Sequence, residues 1–300
     1  MGEVSIQRAL DEAFGLIRRH PGAVAVWALL YLLLGVLPQY GLMALTGPVF
    51  QDLAAPGAAP ATTSAAVLQR MQLLGSVQGL TLLLSLVWQT LQLGGAYRAV
   101  LFPEERGFFF LRLSLREVWL GLVLFVLLIG FFVLMFLVAL PLALIGGIAG
   151  AAGGAVAAAA VVPILLLVAL AVVVWVGLRM SLAPPMSFAE RGFKLFESWR
   201  LTRGHALRLL AVAAVLVVML IVAEAVVGIG GFLLIGGPAK LSQLAEAARN
   251  PQVMFSRMGP MIVGFSVVLA ALSAVFYALV GGAWARIYRD LDPKPEDVFA

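Results

Sequence analysis

Long apolar runs, cut by short polar clusters, dominate this chain. A membrane span needs about 20 consecutive apolar residues. On that measure six transmembrane helices are expected, at about 22–46, 73–100, 117–145, 154–181, 206–236 and 260–286. The clearest stretch is 118–178, sixty-one positions without Asp, Glu, Lys or Arg, which is enough for two helices and their turn. Residues 258–285 form a second uncharged block, between Arg257 and Arg286. The run at 73–100 is the least apolar, because Gln78, Gln89, Thr90 and Gln92 interrupt it.

A different pattern precedes each pair of spans. Ile6, Ala9, Leu10, Ala13, Phe14 and Ile17 recur at spacings of three and four, one face of a helix that Pro21 stops. In "RGFFFLRLSLREVW" (106–119), Phe108, Leu111, Leu115 and Val118 share a face. Over 188–199, at 100° per residue, Phe188, Ala189, Gly192, Leu195, Phe196 and Trp199 fall on one side. Glu190, Arg191, Lys194, Glu197 and Ser198 fall on the other. Each stretch reads as an amphipathic helix lying in the membrane interface. The spans also end alike, in "GGAYRAVLFPE", "VGLRMSLAPPM" and "GGAWARIYRDLDP", each with an Arg and then a Pro.

The expected fold is therefore all-α and polytopic: one membrane domain over 1–300 with six spans in three hairpins. Each hairpin follows an interfacial helix, and residues 294–300 form a tail. The rhyming segments are compatible with a weak threefold repeat over 1–105, 106–182 and 183–293. Converging interface chemistry accounts for them equally well. Of the connections on the other side, 46–66 reads as an irregular loop, "GGIAGAAGGA" (146–155) as a tight turn, and 238–251 as a short interfacial helix.

Charge orients the fold. All but Arg70, Lys240, Arg249 and Arg257 of the 20 Lys and Arg residues fall on the side of the termini, sixteen against four. Positive charge marks the cytoplasmic side, so both termini are expected there. Only 12% of the residues are charged, against about 25% in soluble domains. The richness in Ala, Val, Gly and Arg, with little Lys, suggests a GC-rich bacterium. The N-terminal segment holds Glu3, Asp11 and Glu12 among its arginines and precedes a full-length span, which argues for a retained first helix rather than a cleaved signal. There is no Cys, which removes disulfides and thiolate chemistry.

Residues able to do chemistry are few. The two histidines, His20 and His205, stand at helix starts with no clustered carboxylates, and a closed metal site takes three or four ligands, so no metal or cofactor is expected. No nucleophile–base set stands out, and the protein is expected not to be an enzyme. Glu224 is the one ionisable residue deep in a span and is expected to face the bundle interior or a wet cavity. Gln89 and Gln92 give the second span a polar stripe, suited either to helix–helix hydrogen bonds or to lining a cavity. Arg200, Arg203 and Arg208 crowd the third interfacial stretch, with Phe196 and Trp199 as anchors. They are candidates for anionic phospholipid headgroups as well as for a positively charged topology signal. Spread over separate elbows and interleaved with Glu, the basic residues do not make a nucleic-acid surface.

The stretch "LAPPMSFAERGFKLFESWRLTRGHALRLL" resembles a segment of the multi-helix membrane domain fused to some bacterial glycerophosphoryl diester phosphodiesterases, and of its stand-alone relatives of unknown function. The likeness rests on Ala183, Pro184, Ser198, Trp199, Arg200, Leu201, Thr202, Arg203 and Gly204. "YRAVLFPE" and the N-terminal helix are similar less specifically. The resemblance implies a bacterial inner-membrane six-helix protein. It carries no phosphodiesterase activity, because no soluble catalytic barrel is expected in these 300 residues. Membrane organisation or lipid handling at the cytoplasmic leaflet is the leading expectation, with membrane lipids as partners and a homo-oligomer compatible with the sequence. A small transporter or channel using Glu224 is the alternative.

Overall fold

The computed structural model describes residues 4–36, 38, 65–105, 107–234 and 251–292. The loop expected over 46–66 lies outside them except for 65–66, which already belong to a helix, and the helix expected over 238–251 lies outside them except for Pro251. Within them the chain is a polytopic, all-α membrane protein without strands. Five helical runs are long and apolar enough to cross a membrane, and a sharply bent pair at the N-terminus makes a sixth candidate.

α1 (Ile6–Arg19) starts at Ser5, whose Oγ accepts the Arg8 N–H. Pro21 ends it, and α2 (Pro21–Tyr31) leaves at 83°, running into a π-helical turn at Leu32–Val36. α1 was expected to turn its apolar face to acyl chains. Instead Ala9, Ala13 and Leu16 are buried against protein, chiefly the last helix. Hydrophobic periodicity reports that a face is apolar but not what covers it.

α3 (Ala65–Leu101) is followed by a 3₁₀ turn, Phe108–Phe110. The second interfacial helix expected here does not form. Phe109 and Phe110 take positive φ, Leu111 is extended, and Ser114 is extended at the start of α4. A local capping box explains the choice. Ser114 caps the helix while the Glu117 carboxylate accepts the Ser114 N–H at 2.9 Å, so the helix begins at Leu115.

α4 (Leu115–Met180) holds both uncharged spans. It continues through Gly146 and Gly150 and breaks only at Gly154, whose φ of +71° suits a residue without Cβ. The two arms then lie side by side, with Gly146 against Val162. The expected turn over 146–155 is thus reduced to one residue.

The third elbow is two helices rather than one. α5 (Ala183–Glu190) ends where Arg191 turns left-handed and the Gly192 N–H bonds to Ser187 O, and α6 (Leu195–Leu201) begins after the break. Phe188 and Phe196, expected on one lipid-facing side, are 0% and 74% exposed. α5 is therefore a core element, not an interfacial one. Gly204, with a φ of +89°, supplies the turn into α7 (Ala206–Leu234). α8 (Pro251–Leu291) is the hub, packing against α1, α2, α3 and α7.

Burial is concentrated toward one end of the bundle, the core end, and extends from it along α8 as far as Ala270 and Ser266. Among the described residues, α4 has no buried side chain after Val123 and α7 has none beyond Leu216. The core gathers α1, the end of α3, the start of α4, α5, the start of α7 and the end of α8. Close approach there depends on small residues: a Cβ on Gly281 of α8 would stand 2.4 Å from the Ala96 Cβ of α3.

Candidate functional site

Three features meet at the core end. The first is a buried ion pair. Arg98, at the end of α3, is 1% exposed and pairs with Glu117 in the first turn of α4. It also donates to Phe110 O at 2.7 Å, and its Nε is 3.6 Å from Glu105. The positive φ values at Phe109 and Phe110 shape this turn, which also gives Phe109 O to the Trp27 indole N–H at 3.0 Å. One turn beside it, Arg116 bonds Glu105 at 3.2 Å and lies 3.5 Å over the Phe102 ring. Phe188 of α5 closes over both guanidinium groups.

The second feature is a charged cavity of about 310 Å³ outside this pair, lined by Glu105, Arg112, Ser114, Leu115, Arg116 and Arg191. An apolar groove of about 410 Å³ adjoins it and shares Ser114 and Leu115. The groove runs along α3 and α4 past Leu86, Thr90, Val118 and Gly121.

The third feature is the elbow that carries the predicted headgroup residues. Arg200 and Arg203 line a cavity of about 280 Å³ with His205, Lys194, Glu190, Glu197 and Asp292. Arg208 is exposed and is not among the residues lining it. Lys194 bridges Glu190 and Glu197 at 3.3 and 3.5 Å, which raises its pKa. The Glu197 carboxyl is held below its ordinary range, first by a backbone N–H and then by Lys194. Tyr288 reaches both Glu190 and Asp292, at 3.2 and 3.3 Å.

The segment that carries the family resemblance has a clear local role. Ser198 donates to Arg179 O at 2.8 Å and Thr202 reaches the same carbonyl at 3.4 Å, tying α6 to the end of α4. Trp199 packs edge-on to Trp175, with the Arg179 guanidinium 5.8 Å from each ring. Phe196 stands outside this packing, exposed, while Trp199 is half-buried in it.

The intramembrane polar candidates do not form one site. Gln92 is fully buried, and neither its amide oxygen nor its nitrogen finds a hydrogen-bond partner among the described residues. Gln89 is half-buried. Glu224 was expected to face inward. It is exposed on α7 instead, about 22 Å along the axis beyond Leu209 at the usual helical rise. His20 stacks edge-on to Phe110 at 4.8 Å, whereas His205 belongs to the third-elbow cavity. Among the described residues no three His, Asp or Glu are placed to hold a metal.

Glu105 and Glu117 went unnoticed as site residues in the sequence. The Ser-x-x-Glu signature at 114–117 is the signal that could have flagged Glu117. Comparison with protein-family models, with curated proteins and with solved structures gives no match.

Proposed function

We propose that this protein is a non-enzymatic component of a bacterial cytoplasmic membrane, with both termini cytoplasmic, that holds anionic lipid at the inner leaflet. The supporting observation is the third elbow. There Arg200 and Arg203 border a polar cavity, while the neighbouring Phe196 ring is 74% exposed. A headgroup at the guanidinium groups and acyl chains around the ring would satisfy both, each basic residue near an anionic surface contributing about 1 kcal/mol. The resemblance to the phosphodiesterase-fused membrane domains agrees with such a role and adds no catalytic residues to it.

Native mass spectrometry of the gently extracted full chain tests the proposal. Retained phosphatidylglycerol, reduced when Arg200, Arg203 and Arg208 are all changed to Gln, is the expected result. No retained anionic lipid, or retention unchanged in every arginine variant at this end, would overturn it.

A further inference from the structure

The charged cavity and the apolar groove at the second elbow fit together as one site. Four guanidinium groups, Arg98, Arg112, Arg116 and Arg191, surround two carboxylates, Glu105 and Glu117. The two buried arginines take up those carboxylates, Arg98 with Glu117 and Arg116 with Glu105. Arg112 and Arg191 are left as a surplus of two positive charges at the cavity wall, both exposed. The Arg116 side chain is 9% exposed, and its Nη1 is buried without a hydrogen-bond partner among the described residues. A buried guanidinium N–H without an acceptor is costly, and a ligand oxygen would relieve it. The cavity's other wall runs through Ser114 and Leu115 into the groove. There Val87, Leu113 and Val118 expose apolar surface, Val118 at 64%. Charged pocket and apolar channel lie in the order in which an amphiphile meets a membrane, head at the bundle end and chain along the spans. Their volumes are those of ordinary ligand pockets, roughly 300–1,000 Å³.

We infer that this is a binding site for one anionic phospholipid. Its phosphate is held by Arg112, Arg191 and the unpartnered Nη1 of Arg116, and one acyl chain lies between α3 and α4. Ser114, whose hydroxyl is taken up by the capping box with Glu117, marks the boundary between head and chain. The site rests on the reading that anionic lipid is held at this end of the protein, but it uses none of the third-elbow arginines.

Full-length protein in mild detergent, given equal phosphatidylglycerol and phosphatidylcholine, is analysed by native mass spectrometry. Phosphatidylglycerol should be retained preferentially. Arg112→Gln with Arg191→Gln should weaken it about 30-fold, about fivefold for each charge. Both residues are exposed, so the fold should survive. Val118→Trp, also at an exposed position, should block the groove and weaken both lipids. Excess glycerol phosphate, which has the head chemistry without a chain, should fail to displace the lipid.

If the double variant and Val118→Trp both bind as the wild type does, while the third-elbow variants lose lipid, this site is wrong and the broader reading stands. If no variant at either elbow changes retention, both fail. Displacement by glycerol phosphate, with Val118→Trp silent, would make the cavity a site for soluble phosphate esters and overturn the lipid assignment.

Discussion

Glu117→Gln is the most informative single substitution for the fold. It keeps the side chain's size and, with the amide oxygen at Ser114, its ability to close the capping box, but replaces the charged acceptor facing Arg98 by an amide NH2 donor. Arg98 is 1% exposed, so its guanidinium cannot turn to water. Breaking a buried ion pair by removing one partner costs about 3–5 kcal/mol. Glu105, 3.6 Å from Arg98, offsets part of that loss, so a value near the bottom of the range, about 3 kcal/mol, is expected. Glu117→Ala loses the cap as well and should cost about 1 kcal/mol more. Arg98→Met combined with Glu117→Gln removes both charges. It should return to within about 1 kcal/mol of wild type, the remainder being the abandoned Phe110 carbonyl. Unfolding in mixed micelles titrated with sodium dodecyl sulfate, followed by circular dichroism, gives the ordering. Glu117→Gln within about 1 kcal/mol of wild type, or a double variant as unstable as the single, would show that Arg98 is not confined by this pair.

Other expectations follow from the same geometry. Gly281→Ala should destabilise by about 1–3 kcal/mol, because its Cβ meets that of Ala96, and Ala96→Gly should restore most of the loss in the double variant. A double variant no better than Gly281→Ala alone would place the clash elsewhere. Gln92→Leu should be neutral or stabilising in the same unfolding assay, since the buried amide has no partner among the described residues. A loss above about 1 kcal/mol would mean that the amide is satisfied by water or ligand. Glu224→Gln should change stability by less than about 0.5 kcal/mol and leave proteoliposome ion flux as it was, because Glu224 is exposed on α7. Abolished flux would revive the transport alternative.

The spans were legible because hydrocarbon imposes a crude rule: residues 118–178 contain no charge, and such a run belongs in the bilayer. The elbows were not, for two physical reasons. Periodicity shows which residues share a face, yet an apolar face can meet lipid or protein, and those of α1 and α5 meet protein. Short-range capping also overrides amphipathic pattern. The Ser114–Glu117 box starts α4 where a surface helix was expected to continue, and the left-handed Arg191 divides the third elbow. The three rhyming arginines show the limit from another side. Arg98 pairs with Glu117, Arg179 lies against two tryptophan rings, and Arg286 bonds Asp290 at 3.1 Å. Spacing alone marked them as topology signals, whereas their partners lie 19 residues away, on another helix, or one turn on.

A density map of the full chain in nanodiscs containing phosphatidylglycerol tests the central claim most directly. The account predicts lipid phosphate at the arginine-lined cavities of the core end and an acyl chain between α3 and α4. Cavities free of lipid, with anionic lipid bound only along the exposed outer halves of the spans, would contradict it.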